Sequence, residues 1–169
     1  MCNKVLLVYP GLGKTYCAER TSQVLEIQLS QYKNLNVQKL GKHFPEGLKG
    51  KLQVEMKINP DFPKNLIDDI NKGFNENKIV VMALKESNIN FLKEHNVDFA
   101  FVMPSKNKIE ELKNQYIARG NTSEYIERNI VGLSKVFKEI EEYDKPIYFI
   151  KKGNHLADLV KVNENFIEI

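Results

Sequence analysis

Lys4-Val-Leu-Leu-Val-Tyr-Pro-Gly-Leu-Gly-Lys-Thr-Tyr-Cys-Ala-Glu-Arg20 is the stretch on which the reading of this chain turns. Lys4–Val8 is a continuous apolar run, the pattern of a strand buried on both faces. Pro10, Gly11 and Gly13 then interrupt it, and Lys14–Thr21 has the composition of a helix. A strand that runs through glycines into a helix leaves backbone N–H groups aimed at one point beyond the strand's end. Such a point suits an anion.

Four more strands are expected further along. In Val24–Leu29, Leu25, Ile27 and Leu29 alternate with Glu26 and Gln28. Lys78–Ala83, Asp98–Met103 and Pro146–Ile150 are nearly continuous apolar runs. Helical periodicity fills the gaps. Phe62–Phe74 carries Leu66, Ile70 and Phe74 on one stripe, with Asp61 as expected N-cap and Pro63 in the first turn. Ser87–Glu94 is short. Ser105–Ala118 has Ile109, Leu112 and Tyr116 on one face, and Asn121–Tyr143 reads as one long helix. In the latter, Ile126, Ile130, Leu133, Phe137 and Ile140 form the apolar face, and Asn121 with Glu124 resembles a capping box. A last short helix is expected over His155–Val160. This alternation predicts an α/β fold, a five-stranded parallel sheet with helices on both faces. Residues 33–60 break the pattern: they are rich in lysine and glycine, and too long for a plain connection.

A chain of 169 residues is long enough for one domain with a real core. Its 42% apolar and 28% charged residues are those of a soluble globular protein, and a net charge of +3 argues for neither a nucleic acid nor a membrane partner. No run approaches membrane-spanning length, and the first residues are too short an apolar stretch for a signal peptide. A cytoplasmic location is expected. Cys2 and Cys17 make neither a disulfide framework nor a metal site, and Cys17 reads as a small buried thiol. Arg20, Arg119 and Arg128 are the only arginines beside many lysines and asparagines. That bias suggests an AT-rich coding sequence, as in a low-GC bacterium or its phage, where the location would be the host cytoplasm. An arginine kept in such a chain draws attention to its planar fork, which lysine does not replace.

Gly-x-x-x-x-Gly-Lys-Ser/Thr is the P-loop pattern: backbone N–H groups cradle phosphates, the lysine reaches the β and γ phosphates, and the hydroxyl binds Mg2+. Gly13, Lys14 and Thr15 supply its end and Gly11 the preceding turn, whereas Val8 stands at the first glycine position. Gly11, Leu12, Gly13, Lys14, Thr15 and Tyr16 are therefore the expected nucleotide-binding residues, with Thr15 on the metal. Phosphoryl transfer further needs cations around the transferred group. Arg119 and Arg128 flank the turn at Gly120-Asn121 between two helices, where a small lid could carry them over the phosphates. Glu26, on the polar side of its strand, is the expected acidic helper for a metal-bound water or a substrate proton. Ser30 and Tyr32 could line a nucleotide pocket. Arg20 reads as a cation at a helix C-terminus. His43, His95 and His155 lack metal-ligand spacing and read as surface or turn residues. The lysines of 33–57 are not interleaved with aromatics and read as a solvated face.

Tyr9-Pro-Gly-Leu-Gly-Lys-Thr-Tyr16 resembles the opening of small phage and Firmicutes P-loop proteins that look like (deoxy)nucleoside monophosphate kinases of the adenylate kinase type. Further likenesses follow in order: Asn59-Pro-Asp-Phe-Pro63 before a helix, Val102-Met-Pro-Ser105 after the fourth strand, Arg119-Gly-Asn in the lid, and Lys152-Gly-Asn-His-Leu-Ala-Asp158 near the C-terminus. The resemblance implies a P-loop NTPase fold, ATP and Mg2+ as cofactors, and a nucleoside monophosphate as the partner substrate. It puts Lys14 and Thr15 on phosphates and metal, and Arg119 in the lid. Departures fall where the acceptor would sit. Glu26-Ile-Gln-Leu-Ser30 stands for an Asp-x-x-Ser-Ser motif, Ala83-Leu84-Lys85 for a serine and histidine, and Gln115 for a second lid arginine.

The expectation is a single P-loop kinase-like domain over 1–169. Residues 33–60 would be an acceptor-binding insertion and 105–143 a helical lid region. Lys14, Arg119, Arg128 and Glu26 are the expected catalytic residues. The alternatives are a non-catalytic nucleotide-binding regulator derived from such a kinase, and a kinase for a nucleic-acid end or another small metabolite. Assembly is open, a homodimer included.

Overall fold

The computed structural model describes residues 3–35 and 57–162. Its centre is β1 (Val5–Val8), whose four residues are all buried. A strand buried at every position has both of its faces covered, so the continuous apolar run of the sequence is what its place requires. The other strands are β2 (Val24–Ile27), β3 (Ile79–Ala83), β4 (Phe99–Pro104) and β5 (Ile147–Ile150). They form one sheet in the order β2-β3-β1-β4-β5. Every neighbouring pair is parallel: Val5 stands opposite Val80 and Phe99, and Val8 opposite Ala83 and Val102. The chain leaves β1 toward β2 on one side, and leaves β4 toward β5 on the other. Adjacent strands with diverging connections open a crevice at their carboxyl ends.

Helices flank the sheet. They are α1 (Lys14–Arg20), α2 (Leu29–Lys33), α3 (Lys64–Asn75), α4 (Glu86–Glu94), α5 (Ile109–Ala118), α6 (Ser123–Val131), α7 (Leu133–Glu141) and α8 (Leu156–Val162). The predicted stripes face the core. Leu66 and Ile70 of α3 are fully buried, as are Leu112 of α5 and, nearly so, Tyr116. Each such side chain stabilises the fold by about 1.5–3 kcal/mol. Gly73 lets α3 approach the sheet closely: a Cβ there would lie 2.8 Å from Val80 Cγ2 and 3.0 Å from Leu25 Cδ2.

Four of the differences from the expected boundaries have a local reason. Strand β2 stops at Ile27 because its pairing with β3 ends at Met82, so Leu29 opens α2 and packs on the core from there. Helix α3 starts at Lys64, and Asp61 does not cap it. Asn59 turns the chain instead: its carbonyl accepts from Phe62 N and its Oδ1 from Asp61 N, at 3.1 Å each. The helix expected from Ser105 begins with a 3-10 turn over Lys106–Lys108. The long helix expected over Asn121–Tyr143 is two, α6 and α7, joined at Gly132. Its cap is Thr122, whose Oγ1 accepts from Tyr125 N at 3.2 Å, while Asn121 N and Nδ2 turn back to Tyr116 O.

Residues 36–56, with most of the lysine-rich segment and His43, lie outside the described residues, as does Cys2. The residues that flank it meet: Leu35 N donates to Lys57 O at 3.0 Å and Asn59 N to Lys33 O at 2.8 Å. Among the described residues no helix is long and apolar enough to cross a membrane.

The junction at Gly132 gives a test. A Cβ there would stand 2.4 Å from the backbone oxygen of Arg128. In an unbroken helix Gly132→Ala would stabilise by about 1 kcal/mol. Here it is expected to destabilise by about 1–3 kcal/mol, read as a lowered urea midpoint.

Candidate functional site

The glycine turn sits where β1 ends. Val8 is still in the strand, its side chain buried in the core and its carbonyl accepting from Leu84 N at 2.9 Å. The missing first glycine therefore lies in the sheet, ahead of the bend at Gly11–Gly13. Beyond it the chain bends through Gly11 at φ 85° and Gly13 at φ 89°, a region that glycine enters without strain. Gly11 is required by packing as well: a Cβ would meet Leu112 Cδ1 at 2.5 Å and Tyr116 Cε1 at 2.8 Å. Tyr116 Oη donates to Pro10 O at 2.7 Å, and Leu12, fully buried, accepts at its carbonyl from Leu156 N at 3.0 Å. The turn is thus held from α5 and from α8. Tyr9 ties it to α6 by donating its hydroxyl to Asn129 O. Burial, helped by nearby Tyr125, pushes that hydroxyl up to about 12, so it stays a donor.

Helix α1 starts immediately after Gly13 and has no side-chain cap. Its first backbone bond runs from Cys17 N to Gly13 O at 2.8 Å, so the N–H groups of Lys14, Thr15 and Tyr16 lack an intrahelical acceptor. Cys17 is buried, as expected.

Three side chains converge beside this turn on one carboxylate oxygen. Lys14 Nζ donates to Glu26 Oε1, and so do Thr15 Oγ1 at 3.2 Å and Gln28 Nε2 at 3.3 Å. The ion pair is sheltered: the Lys14 side chain is 18% exposed and that of Glu26 9%. Burial pushes the Glu26 carboxyl up, but the hydrogen bond and charge of Lys14, with the bonds from Thr15 and Gln28, outweigh it. The net direction is below the ordinary value.

The other residues singled out in the sequence have surroundings of their own. Tyr16 is exposed, and Arg20, at the end of α1, stacks over its ring at 3.6 Å. Arg119 is exposed at the end of α5, and Arg128, exposed on α6, lies 5.6 Å over the Tyr125 ring. Neither makes a hydrogen bond or ion pair with Lys14, Thr15 or Glu26 among the described residues. Arg128 lines a cavity of about 410 Å³ beside Tyr9, Pro10, Lys85 and Glu139. Ser30 is exposed, and Tyr32 bonds Asp69 Oδ2 at 2.7 Å. His95 packs against Phe91 with ring centroids 4.5 Å apart and the rings tilted by 49°.

Two features escaped the sequence reading. His155 does not stand clear of the site: its Cβ would be 3.7 Å from a Cβ on Gly13. Lys108, fully buried, donates to Glu111 Oε1 at 2.7 Å and to Asn154 O at 2.6 Å, while Glu111 Oε2 accepts from Gly153 N at 2.7 Å. This clamp fastens the segment after β5 to the start of α5. Among so many lysines, nothing in its local sequence distinguishes Lys108. The Gly153-Asn154-His155 run was visible only as part of a family likeness.

Among the described residues no group of three or more His, Cys, Asp or Glu side chains could hold a metal ion by itself. Comparison with protein-family models and with curated protein sequences finds no match.

Gly11→Ala should destabilise the protein by about 1–3 kcal/mol through overpacking and a forced left-handed conformation, seen in the denaturation midpoint. Acid should act through Glu26. Its folded value lies below the ordinary 4.5, so the stability from the Lys14 pair is present above that value and lost as pH falls through the lowered one. Glu26→Gln should cost about 1–3 kcal/mol at neutral pH and flatten the acid limb of the stability–pH curve.

Proposed function

We propose that the chain is a P-loop phosphotransferase that moves the γ-phosphoryl group of ATP to a (deoxy)nucleoside monophosphate. One observation carries the reading. Lys14 and Thr15 stand with an acidic side chain at the mouth of a tightly packed glycine turn, at the carboxyl end of the central strand. Lysine, hydroxyl and carboxylate are the groups a metal-bound triphosphate uses.

The Gly11–Gly13 backbone and the first N–H groups of α1 would hold the β-phosphate. Lys14 would offset charge on the β and γ phosphates, and Thr15 would supply a protein oxygen to Mg2+. Magnesium takes its remaining oxygens from phosphate and water, so it needs no cage of protein ligands. When bound, it offsets charge on the phosphate oxygens as the bond from γ-phosphorus to the leaving ADP oxygen breaks. An acceptor phosphate oxygen attacks in line as that bond breaks, and Arg119 and Arg128, brought over by the α5–α6 corner, would stabilise the charge in flight. Glu26 would turn to a metal-bound water.

The rival is a nucleotide-binding regulator without turnover. It is favoured by the exposure of both arginines apart from the lysine cluster, and by Ala83-Leu84-Lys85 after β3.

ADP release from Mg-ATP against a panel of ribo- and deoxyribonucleoside monophosphates separates the two. Acceptor-dependent turnover is expected, with at least about a 100-fold loss in Lys14→Ala. ATP binding without turnover on any acceptor would leave the regulator.

A further inference from the structure

Resting on the triphosphate reading, Lys14 and Thr15 meet a complication: both are already engaged. Glu26 Oε1 accepts from Lys14 Nζ, from Thr15 Oγ1 at 3.2 Å and from Gln28 Nε2 at 3.3 Å. A phosphate oxygen would ask for the same lysine and the same neighbourhood. It is an anionic acceptor of the same kind, and such charge-assisted bonds are the strong ones. We propose that Glu26 is an internal competitor for the phosphate site, which a triphosphate must displace and which makes binding selective for the metal-loaded form.

Shelter makes the competition matter. An exposed pair would be worth little, but these side chains are only 18% and 9% exposed. Lys14 can change partner cheaply, because a flexible four-carbon stem carries its ammonium from Glu26 to a phosphate without backbone motion. Glu26 has the shorter stem, and its backbone is held in β2, paired in register with Val81 of β3. Once Lys14 leaves, the carboxylate keeps Thr15 and Gln28 among the described residues and faces a polyphosphate of its own sign. A divalent cation arriving with the phosphates removes that conflict, since its bound water gives the carboxylate a new donor. Metal-free polyphosphate has no such remedy.

Calorimetric titration of the full chain with sodium tripolyphosphate and with ATP tests this, each in EDTA and in excess MgCl2. In EDTA, Glu26→Gln should bind tripolyphosphate about 10-fold or more tighter than the parent, as expected for removing a charged competitor. The affinity gained on adding Mg2+ should shrink by a similar factor. Glu26→Asp keeps the charge but draws it back from Lys14, and should tighten metal-free binding by a smaller factor. Glu19→Gln removes the same charge from the exposed side of α1 and should shift affinity less than about 2-fold, the loss of a screened surface charge. In a Lys14→Ala background the gain from Glu26→Gln should vanish. Equal or weaker metal-free binding by Glu26→Gln, or a gain that survives without Lys14, would overturn the competitor role while leaving nucleotide binding intact. Absence of binding by every folded variant under both conditions would overturn the triphosphate reading itself, and this role with it.

Discussion

The architecture follows from the position of β1. Its edges are hydrogen-bonded to β3 and β4, and both faces are covered. A chain confined in that way has one exit, past the end of the strand, and it must reverse there without a side chain to spare. The sharp bend at Gly11–Gly13 is the solution. There, backbone donors, a helix start and the crevice between diverging strands coincide.

Packing turns this bend from a loop into a rigid part. Leu112 and Tyr116 press against Gly11, Tyr116 bonds Pro10, and Leu156 bonds Leu12. Those contacts come from helices more than a hundred residues away along the chain for α5 and beyond for α8. The Lys108–Glu111 clamp secures the segment that leads into α8. A turn supported from two directions is held by the fold itself, which is what a preorganised binding loop requires.

Electrostatics then differs between the parts. The lysine pair is sheltered, whereas Arg119 and Arg128 sit on an exposed helical corner. In the proposed function the first group binds and the second arrives. The corner between α5 and α6 is short, with Gly120 at φ 70° and Tyr116 packed edge-on against Tyr125 at 5.4 Å. Any movement of the arginines would therefore involve a tilt of this corner or their own long side chains.

Much of the fold was legible in the sequence. All five strands and most helices could be read because burial on both faces or on one stripe leaves a direct trace in residue type. The glycine turn was legible because only glycine suits its conformation. What failed were stopping points. Leu29 continues an alternation that pairing with β3 does not sustain, and Gly132 interrupts a periodicity that runs across it. The site was half legible: Lys14, Thr15 and Glu26 were each singled out, but not that one oxygen of Glu26 takes the first two together with Gln28. Nor could His155 or buried Lys108 be placed. By itself the sequence determined which segments are strands, which are helices, and where the chain must bend, since these depend on neighbours within a few residues. Only the tertiary structure decided which polar groups meet, because those contacts join residues brought together by strand order and helix packing, and local sequence carries no record of them.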